Sequence, residues 1–185
     1  MFVLFFGVSC VGKNELITEL MRYFNWRYVP TYMTRPLREN ETGKVSVTKK
    51  VFDELERNGK FICVNNIFGN FYGTPKKEIL NAKADENFCW VLDFSISKRH
   101  LLEDFAQMTF IIIPESIEQL NRQIEKSGRD ERRSLIIDDY SEHYSGLSNF
   151  SKTNKNIHII VNRENEKKKT AKKINELIKS YEYFD

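Results

Sequence analysis

Cysteine and histidine are both scarce in this 185-residue chain, three of each. Cys10, Cys63 and Cys89 are widely spaced and form no C-x-x-C pair, which argues against a disulfide framework and against a structural zinc site. His100, His143 and His158 are scattered, and no two stand at metal-ligand spacing. Excess charge of either sign is missing too: 29 Lys and Arg against 26 Asp and Glu leave a net charge of +3, too little to define a nucleic-acid binder. Mean hydropathy is −0.51, and no apolar run approaches the roughly 20 residues of a membrane helix. Met1 to Phe6 is apolar, but it has no basic flank and runs straight into glycine-punctuated sequence, so it reads as a strand and not as a signal peptide. There is no internal repeat and no Pro/Ser-rich linker. A reducing, cytoplasmic setting is expected, with neither a membrane nor a nucleic acid as partner.

What is present is ordinary globular composition, 41% hydrophobic and 30% charged, in a length that suits one domain with a real core. Short apolar runs alternate with amphipathic stretches. Strands are expected at Phe2–Phe6, Trp26–Met33, Lys60–Val64, Phe71–Tyr72, Phe88–Asp93, Thr109–Ile113 and Ile157–Val161. Helices are expected at Lys13–Tyr23, Thr48–Asn58 (closed by Gly59), from Pro75, between Asp93 and Thr109, at Ser116–Glu125, after Arg133 and at Glu166–Tyr181. This alternation predicts an α/β fold, a parallel sheet with helices on both faces. The lysine run Lys167 to Lys173 reads as a solvated helix face, with a patch for an anionic partner as the alternative.

Gly7-Val8-Ser9-Cys10-Val11-Gly12-Lys13-Asn14 follows the first strand and opens the first helix. It fits the phosphate-binding loop G-x-x-x-x-G-K. Glycines let backbone N–H groups curl around phosphate oxygens, the helix N-terminus adds its dipole, and Lys13 reaches the β- and γ-phosphates. The eighth position, usually a Ser or Thr that binds Mg²⁺, is Asn14, whose amide oxygen can approach a metal or a metal-bound water.

Two further segments resemble a family. Thr34-Arg35-Pro36-Leu37-Arg38-Glu39-Asn40-Glu41 is similar to the T-R-P-x-R-x-x-E segment of guanylate kinases, and Phe68-Gly69-Asn70-Phe71-Tyr72-Gly73-Thr74-Pro75 to their G-N-Y-Y-G-T-P segment. Val91-Leu92-Asp93 and Ile160-Val161-Asn162 follow in the family's order. The resemblance implies a P-loop kinase with a core at 1–34 and 84–185, an inserted acceptor-binding subdomain at 35–83 and a lid near 127–133. It implies ATP and Mg²⁺, held by Gly7, Ser9, Cys10, Val11, Gly12, Lys13, Asn14 and Asn162, with Asn14 and Asp93 nearest the metal. It implies an acceptor phosphate gripped by Arg35, Arg38 and Tyr72. Thr31, Glu41, Cys63, Thr74 and Asp93 fall at the other acceptor positions. Arg129 and Arg132 are expected to close over the transferring phosphate.

The pattern departs from the family at the acceptor base and the lid. Cys63 stands where the family reads guanine with a glutamate, and Ser95 replaces a second acidic residue. The loop after Gly43 is short and lacks the phosphate-binding tyrosine; Lys44 or Ser46 occupies that region. Ser127 stands at a lid arginine, and Asp138-Asp139 where an arginine pair is expected. The reading is a divergent, guanylate-kinase-like nucleoside or deoxynucleoside monophosphate kinase, monomer or homodimer, with the acceptor base and sugar open. The alternatives are a catalytically inactive kinase-like domain that binds nucleotide or protein, and an enzyme like the ribose 1,5-bisphosphate phosphokinases.

Overall fold

Phe2–Phe6 (β1) is apolar at every position because it runs down the middle of a sheet covered on both faces. The fold is that of a computed structural model, which describes residues 1–39, 41–67, 69–85, 88–93, 101, 106–150 and 156–182. In chain order after β1 come α1 (Lys13–Tyr23), β2 (Trp26–Tyr28), β3 (Thr31–Met33), β4 (Lys44–Ser46), α2 (Lys49–Arg57), β5 (Phe61–Ile67), β6 (Asn70–Pro75) and α3 (Lys76–Ala84). Then follow β7 (Cys89–Asp93), β8 (Met108–Pro114), α4 (Ile117–Lys126), α5 (Arg133–Phe150), β9 (Ile157–Asn162) and α6 (Lys167–Glu182).

The larger sheet has the order β2-β7-β1-β8-β9, and every neighbouring pair is parallel. From β1 the chain goes to the edge strand β2, returns to β7 between the two, then crosses to β8 and β9 on the other side of β1. The crevice beyond the carboxyl end of β1 is therefore the topological switch point, where open α/β sheets bind ligands. On one face, Val3 and Phe5 pack with Leu16 and Leu20 of α1, Leu120 of α4 and Ile174 of α6. On the other, Phe2, Leu4 and Phe6 meet Ile79 and Ala82 of α3 and Cys63 of β5. Phe5 is fully buried against Trp26 and Phe110, so Phe5→Ala would cost about 3–5 kcal/mol.

A second, four-stranded sheet, β4-β3-β6-β5, comes from the middle of the chain. β3 pairs parallel with β4 and antiparallel with β6, and β5 pairs antiparallel with β6. One of its faces closes on α2: the Phe52 ring lies 4.8 Å from Phe61 and 6.0 Å from Phe71. Thr48 caps α2 by accepting the Val51 N–H, and Gly59 ends it with φ +62°. Gly73 leaves the room the Phe61 ring uses, since a Cβ there would lie 2.7 Å from it.

The structure differs from the sequence expectation in three places, one of them the short strand β4 at Lys44–Ser46, which was not expected. Trp26–Met33 is not one strand: it breaks at Val29-Pro30, and its halves belong to different sheets. Pro75 is the extended cap residue of α3, which begins at Lys76. The helix expected between Asp93 and Thr109 falls largely outside the described residues, as do Phe68 and Ser95. Among the described residues, no helix is long and apolar enough to cross a membrane.

Candidate active site

The loop Gly7–Asn14 turns sharply from β1 into α1. Gly7 and Gly12 have φ +147° and +89°; a Cβ on Gly7 would lie 2.5 Å from the Ile112 carbonyl oxygen, and one on Gly12 would lie 2.5 Å from Asn162 Nδ2. Glycine is required at both by conformation and by space. Cys10 also has positive φ, +67°, the kind of backbone that aims successive N–H groups inward. Lys13 Nζ arches back over the loop and donates to the carbonyls of Gly7 at 2.6 Å and Val8 at 2.9 Å. α1 starts on Gly12 without a side-chain cap. Asn14 is exposed at the first turn.

Asn162, at the end of β9, holds this loop from behind. Its Nδ2 donates to the Val11 carbonyl at 2.8 Å, while Gln119 Nε2 donates to the Asn162 carbonyl at 2.7 Å. Gln119 is placed by a reciprocal cap: Ser116 Oγ accepts its N–H, and its own Oε1 accepts the N–H of Glu115. Asn162 Oδ1 and Gln123 Oε1 are buried without a hydrogen-bond partner. A cavity of about 460 Å³, a size that suits a nucleotide, lies over the loop; Ser9, Lys13, Asn14, Gln123, Arg129 and Asn162 are among its walls. A Glu15–Lys167 ion pair forms part of its rim.

The segment 127–133, where a lid is expected, touches the loop directly. Arg129 Nη1 donates to Cys10 Sγ at 3.3 Å, and Ser127 Oγ lies 3.3 Å from the same sulfur. Arg129 precedes a 3-10 turn, Asp130–Arg132. Arg132 pairs with Glu131 at 3.2 Å, and Arg133 turns to Asn121, Glu125 and Asp130. Of the three lid arginines, Arg129 is the one that lines the cavity.

The acceptor motifs meet across the second sheet. Arg35 forms a two-pronged pair with the Glu41 carboxylate, one arm at 2.8 Å, and its Nε donates to Tyr72 Oη at 3.0 Å. Glu41 also accepts the Arg38 N–H at 3.1 Å. These bonds raise the Arg35 proton affinity, the Glu41 hydrogen bond most. Burial alone would raise the Glu41 pKa, but its bonds to Arg35 and Arg38 and their charges win and hold it below the ordinary carboxylate range. Arg38 is pushed down by lost hydration, then by Arg129 and Arg35. Arg129 of the lid and Arg35 of the acceptor loop therefore act on one guanidinium.

Of the two candidates for the missing tyrosine, Lys44 donates to Tyr28 Oη at 3.0 Å, and Ser46 donates to the backbone carbonyl of Arg35 at 2.8 Å. Thr31, Cys63 and Thr74 are buried in the second sheet. Asp93 ends β7 level with Phe5 of β1, at the carboxyl edge of the larger sheet. Gln119, which braces Asn162 behind the loop, was not singled out in the sequence; Ser116-x-x-Gln119 was the available signal for it.

Sheet order, loop and anchored lysine together define the class, a P-loop nucleotide-binding α/β protein. A model of the guanylate kinase family matches residues 2–182. The guanylate kinase of Clostridium tetani (strain Massachusetts / E88) is 28% identical over 166 residues, 85% of this chain and 79% of that one. That of Nostoc sp. (strain PCC 7120 / SAG 25.82 / UTEX 2576) is 30% identical over 135 residues, 70% and 67% of the two chains. The crystal structure of guanylate kinase from Anaplasma phagocytophilum shares the fold with a TM-score of 0.67 over 98% of this chain and 85% of that one, at 21% identity. The chain belongs to the guanylate kinase family, and with it to the ATP-dependent nucleoside monophosphate kinases.

Proposed function

We propose that this kinase binds ATP over the Gly7–Asn14 loop and passes its γ-phosphoryl group to the 5′-phosphate of a nucleoside monophosphate held by Arg35, Arg38 and Tyr72. The observation that carries the reading is the phosphate-binding loop, where Lys13 Nζ bonds to the Gly7 and Val8 carbonyls under a cavity that Arg129 also lines. Two cations on the wall of one cavity suit a phosphate chain between them.

The chain's own work is positioning and charge stabilisation. The backbone N–H groups of Gly7, Ser9, Cys10, Val11 and Gly12 cradle phosphates, and Lys13 exchanges the loop carbonyls for phosphate oxygens. Glu41 holds the Arg35 fork, so that Arg35 and the Tyr72 hydroxyl meet the acceptor phosphate in a fixed direction. Arg129 and Arg132 close from the lid and help to keep water from the reaction. The unit from 35 to 83 serves as the acceptor-binding subdomain.

Mg²⁺ fits this site as a companion of ATP. Among the described residues no group of three or more His, Cys, Asp or Glu could cage an ion, and Mg²⁺ on nucleotides usually takes one or two protein oxygens besides phosphates and water. Asn14 and Asp93 are the residues that would hold it, and the ion would help to neutralise phosphate charge. ADP release, measured by a coupled assay over a panel of ribo- and deoxynucleoside monophosphates, tests the proposal. Acceptor-dependent ADP release supports it; ATP binding with no release for any acceptor contradicts it.

A further inference from the structure

Cys10 stands in the phosphate-binding loop at φ +67°, a left-handed angle that glycine adopts freely and that an L side chain adopts at a cost. The other positive-φ positions of the loop, Gly7 and Gly12, are glycines. A side chain kept at such an angle in a functional loop points to work that the side chain does. Cys10 lines the cavity over the loop together with Ser127 and Arg129.

These three side chains form a directed chain of hydrogen bonds. Ser127 Oγ donates to the Ile124 carbonyl at 2.8 Å, so its one proton is taken. The thiol, 3.3 Å from that oxygen, must then donate to it, while the sulfur accepts from Arg129 Nη1 at 3.3 Å. The far end of the chain is fixed. Ile124 is fully buried, Gly128 turns the backbone at φ +63°, and the Arg129 N–H returns to the Ile124 carbonyl at 3.3 Å. The turn at the end of α4 thus brings the guanidinium back to the loop.

Arg129 differs from its neighbours in what holds it. Arg132 pairs with Glu131, and Arg133 with Glu125 and Asp130, whereas among the described residues the guanidinium of Arg129 bonds to the sulfur and to no carboxylate. A thiol is a weak, neutral acceptor: it sets a direction, leaves the charge of the arginine intact and leaves its other N–H donors for an anion. A carboxylate there would compete with phosphate for the same charge. Donors aimed in advance cost no reorganisation when charge develops. Resting on the proposed kinase reading, we infer that Cys10 is a positioning residue, whose thiol holds Arg129 over the phosphate-binding loop before the nucleotide arrives. The sulfur takes no part in the transfer; it acts through Arg129.

A double-mutant cycle tests this on the full chain with ATP, Mg²⁺ and the best monophosphate acceptor. Cys10→Gly, checked for folding by its melting curve, should lower kcat by about tenfold, less than the roughly hundredfold that a misplacement of about 1 Å can cost. In an Arg129→Ala background the same substitution should change kcat by less than about twofold. Cys10→Ser, whose hydroxyl can donate and accept in the same two directions, should recover most of the loss. An equal loss with and without Arg129, no loss in the wild-type background, or a Cys10→Ser variant as slow as Cys10→Gly overturns the inference and leaves the kinase reading standing. If Cys10→Gly does not fold, Cys10→Ala runs the same cycle. Calorimetric titration with ATP applies the cycle without turnover. A protein that phosphorylates no monophosphate refutes the kinase reading alone if Cys10→Gly weakens ATP binding only where Arg129 is present, and both readings if it does not.

Discussion

Asn162 donates its side-chain amide to the carbonyl of Val11, 151 positions earlier in the chain, and so ties the end of β9 to the middle of the phosphate-binding loop. The bond is buried and Asn162 is 3% exposed, so nothing in solvent replaces it. Asn162→Ala leaves the Val11 carbonyl short of a donor and should cost about 1–3 kcal/mol. ATP affinity should fall with it, because the loop loses its brace. Melting curves with and without ATP check both effects, and a variant with wild-type values in both would show that the loop needs no brace.

Two glycines give a contrast. Gly12 and Gly59 both have positive φ, but a Cβ on Gly59 meets nothing within 4 Å while one on Gly12 runs into Asn162. Gly59→Ala should cost only the backbone penalty, about 1–2 kcal/mol, with kinase activity retained. Gly12→Ala adds a clash at the loop itself and should abolish measurable ATP binding. Equal behaviour of the two in an ATP titration would contradict the space argument.

Lys13 is anchored by the Gly7 and Val8 carbonyls, over the place a phosphate would take. Removing one charge-stabilising donor from such a site typically costs about 10²–10³ in rate, and Lys13→Ala should lose that much in kcat. Unchanged turnover would remove Lys13 from the role proposed for it.

Glu41 makes stability depend on pH. Its carboxyl sits below the ordinary value of 4.5, so the unfolded chain binds more protons than the folded one between the two values. Stability from this group is fully present above pH 4.5 and is lost as pH falls through the folded value. Glu41→Gln should flatten that acid-side slope, cost about 1.5–3 kcal/mol at neutral pH by loosening the Arg35 fork, and raise KM for the acceptor. Urea midpoints from about pH 3 to pH 7 follow the slope. A variant with the wild-type slope would place the acid sensitivity elsewhere.

The core of the fold was legible because its signals are local. Phe2–Phe6 is apolar throughout, the loop glycines follow at once, and α1 shows its buried stripe at Leu16, Ile17 and Leu20. The break at Val29-Pro30 was not legible, since the aromatic run on either side looks continuous and only pairing partners far along the chain send its halves to different sheets. Val29 N–H still bonds to Val91 of the larger sheet, while Thr31 N–H bonds to Gly43 in the second. Arg35, Arg38 and Tyr72 stood out in the sequence because their motifs are local, and the structure bonds Arg35 to Tyr72. The place of Asn65 beside Cys63 was not legible, because it follows from a register with a bulge between Phe61 and Cys63. The lid lay between these cases: its arginines were visible, but that Arg129 turns to Cys10 while Arg133 turns away depends on partners on other elements.

The central claim is that the loop at Lys13 and the cluster of Arg35, Arg38 and Tyr72 hold two phosphates that react with each other. The most direct measurement follows the γ-phosphate of labelled ATP into product in the presence of each nucleoside monophosphate. The expected result is label in a nucleoside diphosphate, dependent on the added monophosphate and strongly reduced in Arg38→Ala. Label recovered only as inorganic phosphate, or no transfer to any monophosphate, would contradict it.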